Sequence, residues 1–436
     1  MSGAGGREQV AALRQKLRGG ILLGAGAEGD VATAVRDVIA DVARRGDRAV
    51  LDLTAKIEGA ELTAERMRVT PAELSQARER ADEELIGIVR RAADNVRAYQ
   101  ESIRLEAPPP LRRGGRELSV RYSPVDRAGV FVPGGGGSGA VLVSSMVMTV
   151  VPAQVAGVRQ VAVVSPPTAD GDVSPRLLAV AAELGVDELY RVSGTAGVAA
   201  LALGTESIPA VDKMVGPGNA YVTEAKRQLF GRVGIDSLAG PSEVLIIADE
   251  TARPEWVAAD LLSQAEHDPG SAILVTPSRE LSAAVDRELD RLLADLPRAK
   301  AARRCLDAYG AIILTDCLDA ACELSDSLAP EHLQIITHDD EAALGKLHHA
   351  GAIFVGPYTP VPVGDYYAGP SHVLPTGGAA RFFSPLSCNE FLKASSVLRY
   401  DAESLAADAA DVTGFARSEG LEAHARAVEA RREARP

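Results

Sequence analysis

The strongest constraint on this chain is a recurrence: short runs of aliphatic and β-branched residues separated by segments long enough for a helix. In the second half the runs are Val244-Leu245-Ile246-Ile247, Ala272-Ile273-Leu274-Val275, Ile312-Ile313-Leu314, Leu333-Gln334-Ile335-Ile336 and Ile353-Phe354-Val355. An earlier series passes through Ala128-Gly129-Val130-Phe131-Val132, Val161-Ala162-Val163-Val164 and Glu188 to Val192. Parallel neighbours in a sheet cannot be joined by a tight hairpin; they need a crossover of a dozen or more residues, usually a helix, so this spacing predicts parallel α/β units. Asp172-Val173-Ser174-Pro175 supplies a helix start, with Ser at the N-cap and Pro at the first helical position. Two α/β domains are predicted, without an internal repeat or low-complexity tract.

The ends of the chain read differently. Up to about residue 105 helical periodicity dominates, as in Val31-Ala34-Val35-Val38-Ile39-Val42 and Leu85-Ile88-Val89-Ala92, until Ala107-Pro108-Pro109-Pro110 breaks the pattern. From about Ser395 the sequence predicts short helices, too few to hold a core alone, so this tail is expected to pack on something else, another subunit being one candidate.

Composition narrows the class of function. The 436 residues suit two to four domains. With 46 Lys+Arg against 60 Asp+Glu the net charge is −14, which argues against non-specific binding to nucleic acid or anionic lipid. The most apolar stretch, Ala140 to Val158, is interrupted by Ser144, Ser145, Pro152 and Gln154, and the N-terminal segment lacks the apolar core of a signal peptide. Cys305, Cys317, Cys322 and Cys388 show no C-x-x-C spacing and read as reduced thiols. A cytoplasmic protein with no nucleic-acid or membrane partner is expected. All seven histidines follow residue 266, so any imidazole chemistry is built from the second half.

Four places carry candidate chemistry. Pro133 to Gly139 (PGGGGSG) and Val215-Gly216-Pro217-Gly218-Asn219 each follow a β-run and would let backbone amides approach an anion, although neither meets the G-x-G-x-x-G fingerprint, and a plain loop or tight turn fits them equally. Gln264 and His267 stand one helical turn apart in the segment from Pro254 to His267. That spacing suits either one metal ion or ordinary helix-end capping, and a metal would need further ligands, for which Asp365 and His424 are candidates. Glu331-His332 precedes the run Leu333 to Ile336, placing an acid and a potential general base at a strand mouth; a surface Glu and a packed His are the bland alternative. His338, His348 and His349 have the look of solvated surface residues.

Together, VDKMVGPGNAYVTEAKR (Val211 to Arg227), AGPSEVLIIAD (Ala239 to Asp249), DLLSQAEHDP (Asp260 to Pro269), APEHLQ (Ala329 to Gln334), VGDYYAGPSHVLPTGGAARF (Val363 to Phe382) and EGLEAHARAVEAR (Glu419 to Arg431) closely resemble the L-histidinol dehydrogenase family, in one order from about residue 25 onward. The resemblance implies an α/β fold of two Rossmann-like parallel-sheet domains with small, mainly helical terminal segments and a C-terminal tail exchanged in a homodimer. It implies an N-terminal helical segment at 1–24, a zinc-bearing and catalytic domain from 25–128 and 244–390, an NAD-facing domain at 129–243, and a dimerisation tail at 391–436. The implied reaction is the zinc-dependent, two-step NAD-linked oxidation of L-histidinol through L-histidinal to L-histidine.

By the same resemblance Gln264, His267 and Asp365 would hold Zn²⁺ with His424 of a partner's tail. His332 would be the general base and Glu331 would activate water. Ser242, His372 and Glu419 would join these ligands and His332 around the substrate, and Phe131, Ala196 and Asn219 would face NAD. None of the cysteines falls at a nucleophile position, which favours aldehyde hydration over a thiohemiacetal. The chain departs from the family on the cofactor side: Phe131 replaces a Tyr, Ala196 a Gln, and Gly136-Gly137-Ser138-Gly139 with Val143-Ser144-Ser145 replaces a Tyr-Pro-Ser-Ser run. Weaker or differently posed NAD binding is expected, about 1 kcal/mol for each hydrogen bond lost. Competing readings are a paralogue oxidising another small alcohol such as a sulfonated diol, a zinc hydrolase using Glu331, and a binding protein that no longer uses NAD.

Overall fold

The computed structural model describes residues 11–15, 28–134, 141–267 and 270–433. Its strands, in chain order, are β1 (Leu111–Arg113), β2 (Arg116–Pro124), β3 (Arg127–Phe131), β4 (Gln160–Ser165), β5 (Glu188–Arg191), β6 (Lys213–Val215), β7 (Gly234–Ile235), β8 (Ser242–Ala248), β9 (Gly270–Thr276), β10 (Ala311–Leu314), β11 (His332–Ile336), β12 (Ala352–Val355) and β13 (Leu392–Tyr400). The chain divides into two units, Met1–Ile103 with Asp126–Phe391, and Arg104–Val125 with Leu392–Pro436.

The first unit holds two five-stranded sheets, ordered β5-β4-β3-β6-β7 and β10-β9-β8-β11-β12, with every neighbouring pair parallel. Each order is third, second, first, fourth, fifth of its own series, the winding of a dinucleotide-type open sheet. The strand order therefore reverses between β3 and β6 in one sheet and between β8 and β11 in the other. The same winding occurs twice without a repeat visible in the sequence.

Side chains alternate across the second sheet as a pleat requires. Val244, Ile246, Ala272 and Leu274 bury against the helices Pro254–Ala265, Arg279–Leu293 and Ala299–Tyr309. Leu245, Ile247, Ile273, Val275, Leu333 and Ile335 bury on the opposite face with the helix Leu318–Leu328. Burial on both faces explains why the runs are almost continuously apolar.

The first sheet corrects one boundary. Val35, Val42, Ala49 and Val50, from the helices Glu28–Arg45 and Asp47–Glu58, share a core with Phe131, Ala162, Tyr190 and Ala196, so these helices pack on the first sheet although 25–128 was grouped with 244–390. On the helix Glu83–Ile103 the buried face is Ile86, Val89, Ala92, Ala93 and Val96, whereas Ile88, read as part of the apolar stripe, is exposed. Ser174 does precede a helix opening at Pro175, but its side chain makes no capping bond.

The second unit adds a strand to the mainly helical tail, where the sequence predicts short helices from about Ser395. β13 pairs antiparallel with β2 over nine residue pairs, Leu392 with Pro124 through Tyr400 with Arg116, and β1 continues this sheet. The helices Ala402–Ser418 and Glu422–Glu433 follow. The tail thus shares its fold with 104–125, a segment assigned to another domain from sequence. Among the described residues, no helix is long and apolar enough to cross a membrane.

Candidate functional site

The site forms at the amino end of the second sheet. β8 begins at Ser242 and β11, its neighbour across the switch point, at His332. The helix Pro254–Ala265 runs back from the carboxyl end of β8, so its last turn, with Gln264, returns to the same amino end. His267 lies just past the helix, its N–H bonded to the Gln264 carbonyl at 3.2 Å. Gly270 then opens β9 so close to this turn that a Cβ would stand 2.6 Å from the carbonyl oxygens of both Gln264 and His267. Asp365 comes from the short helix Val361–Tyr366 that follows β12. Strand mouths are where Glu331 and His332 were expected, but open α/β sheets ordinarily bind at carboxyl ends; in this sheet the candidate residues gather at the opposite end.

His332 is buried and held at both nitrogens. Nδ1 lies 2.8 Å from the Glu243 carbonyl, which only accepts, so Nδ1 carries a proton; Nε2 faces Asp365 Oδ1 at 3.2 Å. Burial opposes a charged ring, but Glu331 and Asp365 outweigh it and push the imidazole up to about 9. Glu331 accepts from the Glu243 N–H at 2.8 Å and lies 3.5 Å from His332 Nδ1; burial raises its carboxyl to about 7. Glu243 itself was missed from sequence. Its buried carboxyl accepts from the Gly377 N–H at 2.9 Å and is raised to about 8 by burial and by Glu331. An acidic residue inside the apolar run SEVLIIA was the available signal.

His372 joins the two sheets. Nδ1 donates to the Asp365 carbonyl at 2.8 Å, which leaves Nε2 to accept from Ser145 Oγ at 3.2 Å. Ser145 stands in the first turn of the helix Val143–Ala156, the crossover after β3. Ser371 Oγ donates to the Met148 carbonyl of the same helix at 2.9 Å. Burial lowers the His372 imidazole, keeping it neutral. The amino end of the second sheet thus meets elements at the carboxyl end of the first.

On that first sheet, Phe131 closes β3, Ala196 sits in the first turn of the helix Gly194–Leu203, and Asn219 caps the helix Ala220–Leu229, its Oδ1 accepting from the Tyr221 and Val222 N–H groups at 3.1 Å each. The Phe131 and Ala196 side chains are buried in the apolar core. The glycine loop Pro133 to Gly139 lies outside the described residues beyond Gly134. Ser242 is half-buried at the start of β8, and Glu419 and His424 are exposed in the second unit, beside Val412, Phe415 and Leu421. His338 bonds Asp249 at 2.8 Å, and His348, in a loop after a helix rather than at its end, bonds Asp326 at 3.1 Å; neither joins the site.

The donors suit a zinc ion in kind. Burial lowers the His267 imidazole and so favours the neutral ring that metals require. Gln264 is buried, and its Nε2 has no partner among the described residues, an amide terminus that needs one. Which amide atom occupies which position is an assignment, so an oxygen can be turned toward a cation. Among the described residues no group of three or more His, Cys, Asp or Glu side chains forms a metal site. That accords with this donor set, which offers only His267 and Asp365 of those types in the first unit besides the Gln264 amide.

The chain matches the histidinol dehydrogenase family model over residues 25–432. It is 48% identical over 423 residues to the histidinol dehydrogenase of Geobacillus kaustophilus, spanning 96% of this chain and 99% of that one. It is 47% identical to the histidinol dehydrogenase of Bacillus subtilis, over 91% and 92%. The crystal structure of histidinol dehydrogenase from Elizabethkingia anophelis superposes with a TM-score of 0.87 at 34% identity, covering 92% of both chains. The family match takes in both sheets, the site between them and the C-terminal unit to residue 432: the chain belongs to the histidinol dehydrogenase family.

Proposed function

We propose that this protein oxidises L-histidinol through L-histidinal to L-histidine in two NAD-linked steps, as a cytoplasmic homodimer. The observation that carries this reading is the convergence of buried His332 and Glu331 with half-buried Asp365 at the amino end of the second sheet, next to elements from the carboxyl end of the first. Gln264, His267 and Asp365 would hold Zn²⁺, completed by His424 of the partner subunit, and Glu419 would enter the substrate pocket by the same exchanged tail. Ser242 and His372 would contact the substrate, while Phe131, Ala196 and Asn219 would border NAD⁺. When bound, Zn²⁺ would orient and polarise the substrate as a Lewis acid and the nicotinamide would accept the hydride of each step.

The chain's own groups move the protons. At about 9 the His332 ring also holds a proton at Nε2 near neutral pH, a state that Asp365 favours. With Asp365 committed to Zn²⁺ that pull would weaken, and with Nδ1 bonded to the Glu243 carbonyl the ring would release and take up its proton at Nε2, so that atom must face the alcohol in the first step and the hydrated aldehyde in the second. Glu331, raised to about 7, exchanges protons near neutral pH and is suited to deprotonating the water that hydrates the aldehyde. The neutral, fixed tautomer of His372 offers the pocket no charge and leaves it a positioning role.

The test is NADH formation with L-histidinol, with and without a chelator. Two NADH per histidine, lost on chelation and restored by Zn²⁺, is the expected result. No turnover with histidinol, or turnover indifferent to metal removal, refutes the reading.

A further inference from the structure

The loop after β6 is clamped by a buried ion pair. Lys226, on the helix Ala220–Leu229, and Asp236, just past β7, have side chains each 3% exposed and paired with one another. Both also hold Gly216: Asp236 Oδ2 accepts from its N–H at 2.8 Å, and Lys226 Nζ donates to its carbonyl at 3.1 Å. Gly216 has φ +119°, and a Cβ there would stand 2.2 Å from the Phe131 carbonyl oxygen, so the loop rests directly on the end of β3. This is the switch point of the first sheet, where an open α/β sheet binds its ligand. Asn219 lies three residues on.

Burying two opposite charges costs much of what their attraction returns, and well-packed apolar replacements are often as stable. A pair whose two members hold the N–H and the carbonyl of one residue, and so the two peptide units that flank its Cα, fixes position. Asp236 also opens the segment 236–241 that leads from the first sheet into Ser242 of the second, so the clamp ties the ligand-facing loop to the connection between the two halves of the site. From this geometry we infer that Lys226 and Asp236 are positioning residues for the dinucleotide, setting Gly216-Pro217-Gly218-Asn219 against it without touching it. The inference rests on the proposed NAD-facing role of the first sheet.

The experiment compares wild type, Lys226→Met/Asp236→Leu and Asp236→Asn in steady-state assays with L-histidinol and NAD⁺, with thermal unfolding of each. The double variant is expected to fold with a melting temperature near wild type, to raise KM for NAD⁺ about tenfold or more, and to change kcat and the KM for histidinol by less than about threefold. Asp236→Asn keeps an acceptor for the Gly216 N–H and is expected to fall between the two. Folded variants with wild-type KM for NAD⁺ overturn the inference, as does loss of fold in both, which would make the pair a stability element. A wild-type protein that does not reduce NAD⁺ with histidinol overturns the functional reading instead, and that arm is measured first.

Discussion

Asp260 lies one helical turn before Gln264, 9% exposed, with Oδ2 accepting from Gln334 Nε2 at 2.7 Å. Gln334 is fully buried in β11, and its Oε1 has no partner among the described residues. An ionised carboxylate cannot supply one, whereas a protonated Asp260 can donate to Oε1 while still accepting from Nε2. Burial accordingly pushes this carboxyl from 3.8 to about 6, with the Gln334 bond opposing the shift only in part. A carboxyl raised in the folded state favours folding most below its unfolded pKa, and that advantage is lost as pH rises from 3.8 through 6. At about 1.4 kcal/mol per unit, ionised Asp260 costs the native state about 3 kcal/mol at pH 7 and under about 1 kcal/mol at pH 4. Asp260→Asn reproduces the neutral partner: its Nδ2 donates to Gln334 Oε1 and its Oδ1 accepts from Nε2. Chemical denaturation of both proteins at pH 4 and pH 7 measures the difference. The variant should be more stable by about 2–3 kcal/mol at pH 7 and nearly level at pH 4. A gain of the same size at both pH values, or no gain at pH 7, would refute the argument that ionisation of Asp260 is what the native state resists.

Replacing His332 with Asn removes the Nε2 base and should lower kcat by about 10²–10⁴ with KM for NAD⁺ little changed; a loss below about tenfold would assign the proton transfer elsewhere. The variant Phe131→Tyr/Ala196→Gln should bind NAD⁺ more tightly by about 1 kcal/mol for each hydrogen bond regained, read by titration, and equal affinity would sink the idea. Both positions are buried, so the new polar groups must reach the ligand from within the core and thermal stability should be recorded alongside. Phe415, 71% exposed beside Val412 and Leu421, belongs to the tail proposed to cross between subunits, and Phe415→Glu should shift sedimentation from dimer toward monomer together with loss of turnover. A dimer that persists with full activity removes that face from the interface.

What the sequence disclosed and what it hid follow from the range of the interactions involved. The β-runs were legible because burial on both faces of a parallel sheet writes an apolar signal into consecutive residues, as in Val244 to Ile247. The helices Glu28–Arg45 and Asp47–Glu58 show only that one face is apolar; nothing local says which sheet that face meets, and it meets the first. Gln264 and His267 were legible as a pair through spacing, whereas Asp365, on a helix about a hundred residues away, is in the sequence only one candidate further ligand, with no spacing that ties it to them. Lys226 and Asp236 were invisible because each looks like a surface charge until β6 and β7 pair and close the loop over both. The two identical windings were hidden for a related reason: a strand order is fixed by which faces and edges are left to pair, and very different residues can satisfy it. It also explains why a place before a β-run was legible in the sequence while what stands across from it was not. A residue's place before a β-run is local information, whereas the useful end of the second sheet is decided by what stands opposite. Here Ser145 and Met148, in the crossover following β3, are bonded to His372 and Ser371, and that apposition assigns the candidate chemistry to the amino ends of β8 and β11.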